Sequence, residues 1–379
     1  MSLKNSKRVK DRVLLLLAIK APGKTVDLNH IYEKINRDCG ATKQEIITAL
    51  RELVSEGLAR NVGGNWIVTE DGRKIAWEKL RYDPEMNMSY RLVLLARWYY
   101  PKIADAILPF LRGRPVSVVK VFSDEKDPIH KVKPIFSRYA KYRPKTYHRI
   151  EDKQTLMRYV DAHAIDYIPY VHTFHDKTHP TWLVIDVDAG EDLKKDPRGF
   201  ELVKEITKIT AEVLEDKYEI IPAVKFSGSR GFQIWCTFEK PLGPFDIYRD
   251  AVRQIQKDVE AELQKMYDEL REKYGNIFDV PITTSDVAHA DLRRRKILLD
   301  WSCLKPEGDV RAPFSMHWKT GLVSVPVKLN EILKFEAENA KVEEVVKRKE
   351  DLITTFKLTP NPPEKLLKSV KSGLFKFLS

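Results

Sequence analysis

The chain has 379 residues, a third of them charged, and a formal net charge of +11 at pH 7. That length allows a sizeable core and more than one domain. No apolar run approaches the roughly 18–20 residues of a membrane span, and the longest, Val13–Ile19, is bounded by Arg12 and Lys20 with no small-residue cleavage site after it. The expectation is a soluble, cytoplasmic protein. Cys39, Cys236 and Cys303 are odd in number and far apart, which excludes a disulfide framework and a paired-cysteine zinc site. The excess of Lys and Arg points to a polyanionic partner, most simply nucleic acid. A Lys/Glu-rich thermophile surface is the alternative reading.

Arg8–Lys20 has helical apolar spacing, Asp27 can cap a helix running through Ile35, and Thr42-Lys-Gln-Glu45 is a capping box opening a helix over Lys43–Ser55. Leu58–Val62 and Trp66–Thr69, joined across Gly63-Gly64-Asn65, read as a hairpin. Three helices and a hairpin predict a winged helix-turn-helix over residues 1–82, whose third helix would face a major groove. On that helix, however, Lys43 and Arg51 are countered by Glu45, Glu52 and Glu56. The basic residues gather instead at Lys4, Lys7, Arg8, Lys10 and Arg12. A docking or phosphate-contacting module fits that distribution better than a base-reading one.

Residues 83–335 mix strands (Val116–Phe122, Thr181–Val187, Ala223–Phe226, Phe232–Phe238, Lys296–Asp300) with helices (Arg198–Leu214, Ile247–Lys273), an α+β pattern. Residues 336–379 hold a charged helix over Glu336–Lys349, a break at Pro360-Asn-Pro-Pro363 and a basic-apolar tail.

Asp186 and Asp188 stand at i and i+2 in an apolar strand, so both carboxylates project from one face. Adjacent acids repel unless a cation lies between them, and Mg²⁺ or Mn²⁺ is the simplest compensation. Asp188-Ala-Gly190 is also plausible turn chemistry. Asp300 ends a second apolar strand. Three such aspartates suit two divalent metals that activate a hydroxyl and hold a triphosphate. Between them lies Lys225-Phe-Ser-Gly-Ser-Arg-Gly-Phe-Gln-Ile-Trp235, whose glycines let backbone N–H groups approach an anion while Lys225 or Arg230 offsets its charge. The segment Arg311–Lys319 adds another cation, Arg311, with a hydroxyl and His317. His172, His175 and His179 cluster with no cysteine nearby to close a structural zinc site, and are expected to line the approach or satisfy turn backbone.

The ordered set VIDVDAG, KFSGSRGFQIW, ILLDWS and VRAPFSMHWKTGLVSVPV resembles the archaeo-eukaryotic primase superfamily, over about Ser89 to Phe335. The last segment looks like a loop of the primase small catalytic subunit. The upstream ILPFLRGRPVSVVKVF is more similar to the polymerase domain of end-joining DNA ligases. The resemblance implies a primase-polymerase catalytic domain acting as a DNA primase or primase-like repair polymerase. Asp186, Asp188 and Asp300 would be its metal ligands. Ser227 and Arg230 would hold the nucleoside triphosphate, Gly228 and Gly231 would shape the turn, and Arg311 and His317 would reach the phosphates from the other side. Gln233 departs from the family, which usually has histidine there. Glutamine can donate a hydrogen bond but cannot become cationic, so the alternative is a non-catalytic DNA-binding subunit with a degenerate nucleotide site. The implied partners are single-stranded or primer-template DNA, with a large primase subunit or a DNA ligase. The tail adds a further candidate, because Leu374, Phe377 and Leu378 have the spacing of sliding-clamp-binding peptides. A terminal helix docked on its own domain is the competing reading.

Overall fold

The computed structural model describes residues 3–375 and divides the chain into two compact units. The first comprises residues 1–104, 118–137 and 152–166; the second comprises 105–117, 138–151 and 167–379.

The chain opens with helices α1 (Leu3–Ala18), α2 (Leu28–Cys39) and α3 (Lys43–Ser55). Val13–Ile19 is buried throughout, so the apolar run is a core helix rather than an amphipathic one. Asp27 caps α2 by accepting from His30 N–H, and the Thr42–Glu45 capping box is present at the start of α3. Strands β1 (Ala59–Val62) and β2 (Asn65–Val68) pair antiparallel across Gly63-Gly64. Both glycines have positive φ, +58° and +85°, as a tight two-residue hairpin turn requires. Helices α4 (Glu70–Leu80) and α5 (Met88–Leu111) follow, with Trp77 stacked on Trp98 between them at 4.3 Å.

Strands β3 (Val116–Ser123), β4 (Val132–Ser137), β5 (Tyr139–Tyr142) and β6 (Lys145–Tyr147) come next, then helix α6 (Lys153–Asp161) and strand β7 (Ala164–Pro169). These strands form a sheet of order β4-β3-β7 and a separate β5-β6 pair.

The larger sheet of the second unit is built from β8 (Leu183–Ala189), β9 (Ala223–Phe226), β10 (Phe232–Phe238), β11 (Thr283–Thr284), β12 (Ile297–Asp300) and β13 (Pro360–Asn361). Its order is β11-β12-β8-β10-β13, with β9 lying beside β10 upstream of β13. Helices α7 (Gly199–Tyr218), α8 (Phe245–Gln264) and α9 (Tyr267–Tyr274) lie between these strands in the chain, and α7 packs on β8 and β10. Ile247–Lys273, expected as one helix, is therefore two. Glu336–Lys349 is likewise not one charged helix: a 3₁₀ turn over Ala337–Ala340 precedes α10 (Val342–Lys347), and α11 (Lys349–Thr355) follows. Helix α12 (Glu364–Phe375) packs on α8. Of the expected clamp anchors, Phe377 and Leu378 lie outside the described residues, and only the helical backbone of Leu374 is described.

Alternation along the strands divides the sheet's chemistry. Leu183, Ile185 and Val187 of β8 are fully buried, and Val184, Asp186 and Asp188 take the opposite face, as period two demands. On that face Val184 and Trp235 join a cluster with Trp182, Ala223 and Phe356, so the apolar end of the face is anchored and the polar end is left for chemistry. No helix among the described residues is long and apolar enough to cross a membrane.

Candidate active site

Strand register sets the site. Asp300 on β12 lies directly opposite Asp186 on β8, Asp186 opposite Gln233 on β10, and Gln233 opposite Lys225 on β9. Directly paired residues share a face, so four adjacent strands present an acid, an acid, an amide and a cation in one row. Asp188 sits on that face two residues further along β8.

Burial, and then the charges of Asp188 and Asp300, push the Asp186 carboxyl up to about 7. Gln233 Nε2 donates to Asp186 Oδ2 at 3.3 Å, and the Lys225 charge also opposes that rise. Lys225 is fully buried: its ammonium donates to Ser324 Oγ at 2.5 Å and lies 5.4 Å from the Trp235 ring centre. Asp188 pairs with Lys194 at 2.9 Å.

Two cavities open beside this row. One, of about 410 Å³, is lined by Asp186, Asp188, Ser227, Arg230, Gly231, Gln233 and Arg311, all expected from the sequence, together with Glu191, Lys194, Ser229, Lys319 and Thr320. The other, of about 300 Å³, carries Asp300 and shares Asp186, Gln233 and Arg311 with the first. Lys225 and His317 line neither. His317 Nδ1 accepts from the backbone N–H groups of Lys319 and Thr320, which shapes the loop carrying the Lys319 ammonium.

The Ser227–Gly231 turn closes through Ser227 N–H to Gly231 O (2.9 Å) and Gly231 N–H to Ser227 Oγ (3.3 Å). Arg311 donates to the Ser227 carbonyl at 3.0 Å and Thr320 Oγ1 to the Gly228 carbonyl at 2.6 Å, so the loop around 311–320 braces the turn. Gly228 has φ +89°, and a Cβ there would lie 2.9 Å from His317 Cβ. Gly228→Ala is therefore expected to cost about 1–3 kcal/mol through backbone strain and crowding. Thermal melts of the variant against the parent check that cost. At Gly231 a Cβ would meet the Val187 carbonyl at 2.6 Å, so only glycine lets β10 begin this close to β8.

Lys194, Lys319 and Thr320 were absent from the sequence-derived set. Lys194 carries a weak signal, a lysine four residues past the Asp188-Ala-Gly190 turn. His172 ring nitrogens meet the carbonyls of Thr173 and Pro306 at 2.8 and 2.9 Å, and His179 Nδ1 meets Asp176 Oδ2 at 2.8 Å. His172 thus ties its own turn to the distant Pro306 loop, and His179 closes the turn at Asp176.

The chain is a member of the archaeo-eukaryotic primase superfamily, a class of primase-type nucleotidyltransferases. The chain belongs to the family described as LigD, primase-polymerase domain, whose match spans residues 95–356. A solved polymerase domain from Mycobacterium tuberculosis ligase D, in complex with DNA, shares the fold with a TM-score of 0.53 at 18% identity. That similarity covers 68% of this chain and 91% of the other. No curated protein matches the chain. The family is one of primase-like nucleotidyltransferases of DNA repair.

Among the described residues, no three His, Cys, Asp or Glu side chains are grouped so as to hold a metal ion. The donor chemistry nevertheless fits a hard divalent cation. Asp186 is flanked by two further carboxylates that raise its proton affinity, and its neighbour Asp188 already holds a cationic side chain.

Proposed function

We propose that the chain is a template-dependent nucleotidyltransferase, a DNA primase or primase-like repair polymerase, whose Asp186, Asp188 and Asp300 hold Mg²⁺ or Mn²⁺. The observation that carries this reading is the juxtaposition of Asp300, Asp186 and Gln233 on three adjacent strands beside two cavities. Divalent metal bound there would lower the pKa of a primer or nucleotide 3′-hydroxyl and stabilise departing pyrophosphate.

The chain's own residues do the rest. Arg230, Arg311, Lys194 and Lys319 converge on the larger cavity and offset triphosphate charge. The Ser227–Gly231 turn presents backbone N–H groups to the same phosphates. Lys225, buried at the end of the row, supports the site's charge balance rather than touching the nucleotide. His317 acts through the loop that it holds.

DNA is the proposed polymeric substrate, in keeping with the basic composition and with the DNA present in the related structure. The three helices and hairpin of residues 1–82 are proposed to form a winged helix-turn-helix contacting DNA phosphates or a partner protein, and residues 83–335 the catalytic domain.

The test is nucleotide incorporation on primed template and on bare single strand, with Mg²⁺ or Mn²⁺ and ribo- or deoxynucleotides. Metal-dependent products support the reading, and products on the bare strand make the enzyme a primase. Absence of product from folded protein would favour a non-catalytic DNA-binding subunit. Gln233→His is expected to keep or raise incorporation, because it restores the family's usual phosphate contact. Its complete loss would show that the cavity is shaped around glutamine.

A further inference from the structure

Gln233 is 5% exposed, and its place in the row fixes its amide. The nitrogen donates to Asp186, which leaves the carbonyl oxygen Oε1 buried and without a hydrogen-bond partner. A buried orphan acceptor costs about 1–3 kcal/mol, so in the working site Oε1 is expected to meet a donor or a cation. Triphosphate oxygens are acceptors and supply neither. The role inherited from the family's histidine therefore leaves this oxygen unexplained.

Two observations identify what it meets. Asp188 is engaged by Lys194, which leaves Asp186 and Asp300 as the carboxylates beside the amide in the row. Gln233 and Asp186 both line the two cavities, so the amide stands between the cavity bearing Asp300 and the one bearing the cations. Glutamine carbonyls belong to the oxygen ligands that hard divalent cations accept.

We propose that Gln233 Oε1 is a metal ligand, a neutral oxygen that completes, with Asp186 and Asp300, the site for a hard divalent cation. The inference rests on the aspartate reading above. It reassigns Gln233 from the triphosphate to the metal, leaving the triphosphate to Arg230, Arg311, Lys194 and Lys319.

The experiment measures Mn²⁺ binding to the full chain without nucleotide, from the loss of the free-ion electron paramagnetic resonance signal. Gln233→Leu is expected to weaken Mn²⁺ binding by roughly tenfold or more, and Gln233→Glu, which keeps an oxygen and adds charge, to match or exceed the parent. Gln233→Asn, which retracts the amide by one methylene, should weaken binding in the same direction and serves if the leucine variant does not fold. Folded Gln233→Leu binding Mn²⁺ as the parent does overturns the assignment. If that variant loses nucleotide affinity instead, the oxygen serves a nucleotide hydroxyl. The Asp186→Ala/Asp188→Ala variant separates the two levels. Undiminished Mn²⁺ binding there overturns the aspartate site itself, whereas its loss beside an unchanged Gln233→Leu overturns only the role of Gln233.

Discussion

Replacing Asp186 and Asp188 with alanine is expected to abolish metal-dependent incorporation, by at least about a thousandfold, while leaving the protein folded. Such a loss corresponds to about 4 kcal/mol of barrier, the several kcal/mol that metal stabilisation supplies. The stability effect has the opposite sign. With the folded-state carboxyl of Asp186 at about 7, against 3.8 ordinarily, the folded chain binds a proton that the unfolded chain releases. The resulting stability is fully present below about pH 4 and is lost as pH rises through 7. Metal-free protein should accordingly melt at lower temperature at pH 8 than at pH 5. Asp186→Asn should flatten that dependence and raise the pH 8 melting temperature by roughly 2–4 °C. Mn²⁺ should raise it for the parent and much less for the variant. Calorimetry at the two pH values checks the sign, and an unchanged pH profile in Asp186→Asn would remove the carboxylate cluster as its source.

Gly190→Ala should be nearly as damaging without touching any proposed ligand. A Cβ at Gly190 would lie 2.0 Å from the Arg293 carbonyl oxygen and 2.4 Å from that of Arg294. Both contacts are backbone, which cannot rotate away. The same place is tied by Gly190 N–H to Lys296 O at 2.8 Å and by Asp192 N–H to Arg294 O at 3.0 Å. The displaced segment leads straight into β12 and Asp300. A cost of about 3 kcal/mol is expected for the overpacking. A misplacement of Asp300 by about 1 Å should lower incorporation on the order of a hundredfold. Thermal melts and turnover measured well below the melting temperature distinguish loss of fold from loss of alignment; full activity in a destabilised variant would show that Asp300 does not depend on this strap.

Much of the site sheet was legible because its signals are local. Helix α3, with its capping box, and strands β9 and β10 have the bounds that periodicity and flanking turn residues predicted. What escaped was decided by distant contacts. Helix α8 ends before Tyr267 although helix formers continue, and nearby the Glu260 carboxylate accepts from Ile282 and Thr283 N–H. Pro360-Asn361 reads as a break, and only its partner on β10 makes it a strand. Lys225 beside a phosphate-type turn was read as an anion contact. Its strand register keeps it on the face of Gln233, at the end of the row, where its ammonium is buried against Ser324 Oγ and lines neither cavity. Lys194 and Lys319 belong to the cavity only because loops return to it, and no spacing rule encodes that return.

The short strand β13 also bears on how this sheet is completed. Asn361, 2% exposed, accepts from Ile221 N–H at 2.7 Å through its side chain, and its amide donates to the carbonyls of Ile221 and Thr237. Its partner Thr237 is 124 residues earlier in the sequence. The strand next to the aspartates thus keeps an open edge until a far-downstream segment arrives, a closure of high contact order and correspondingly slow. A chain cut before Pro360 would display bare N–H and C=O groups along the end of β10, where another copy can pair. Self-association through strand pairing is the hazard that Asn361 removes, and truncations of the C-terminal segment should be judged first by whether they stay monomeric.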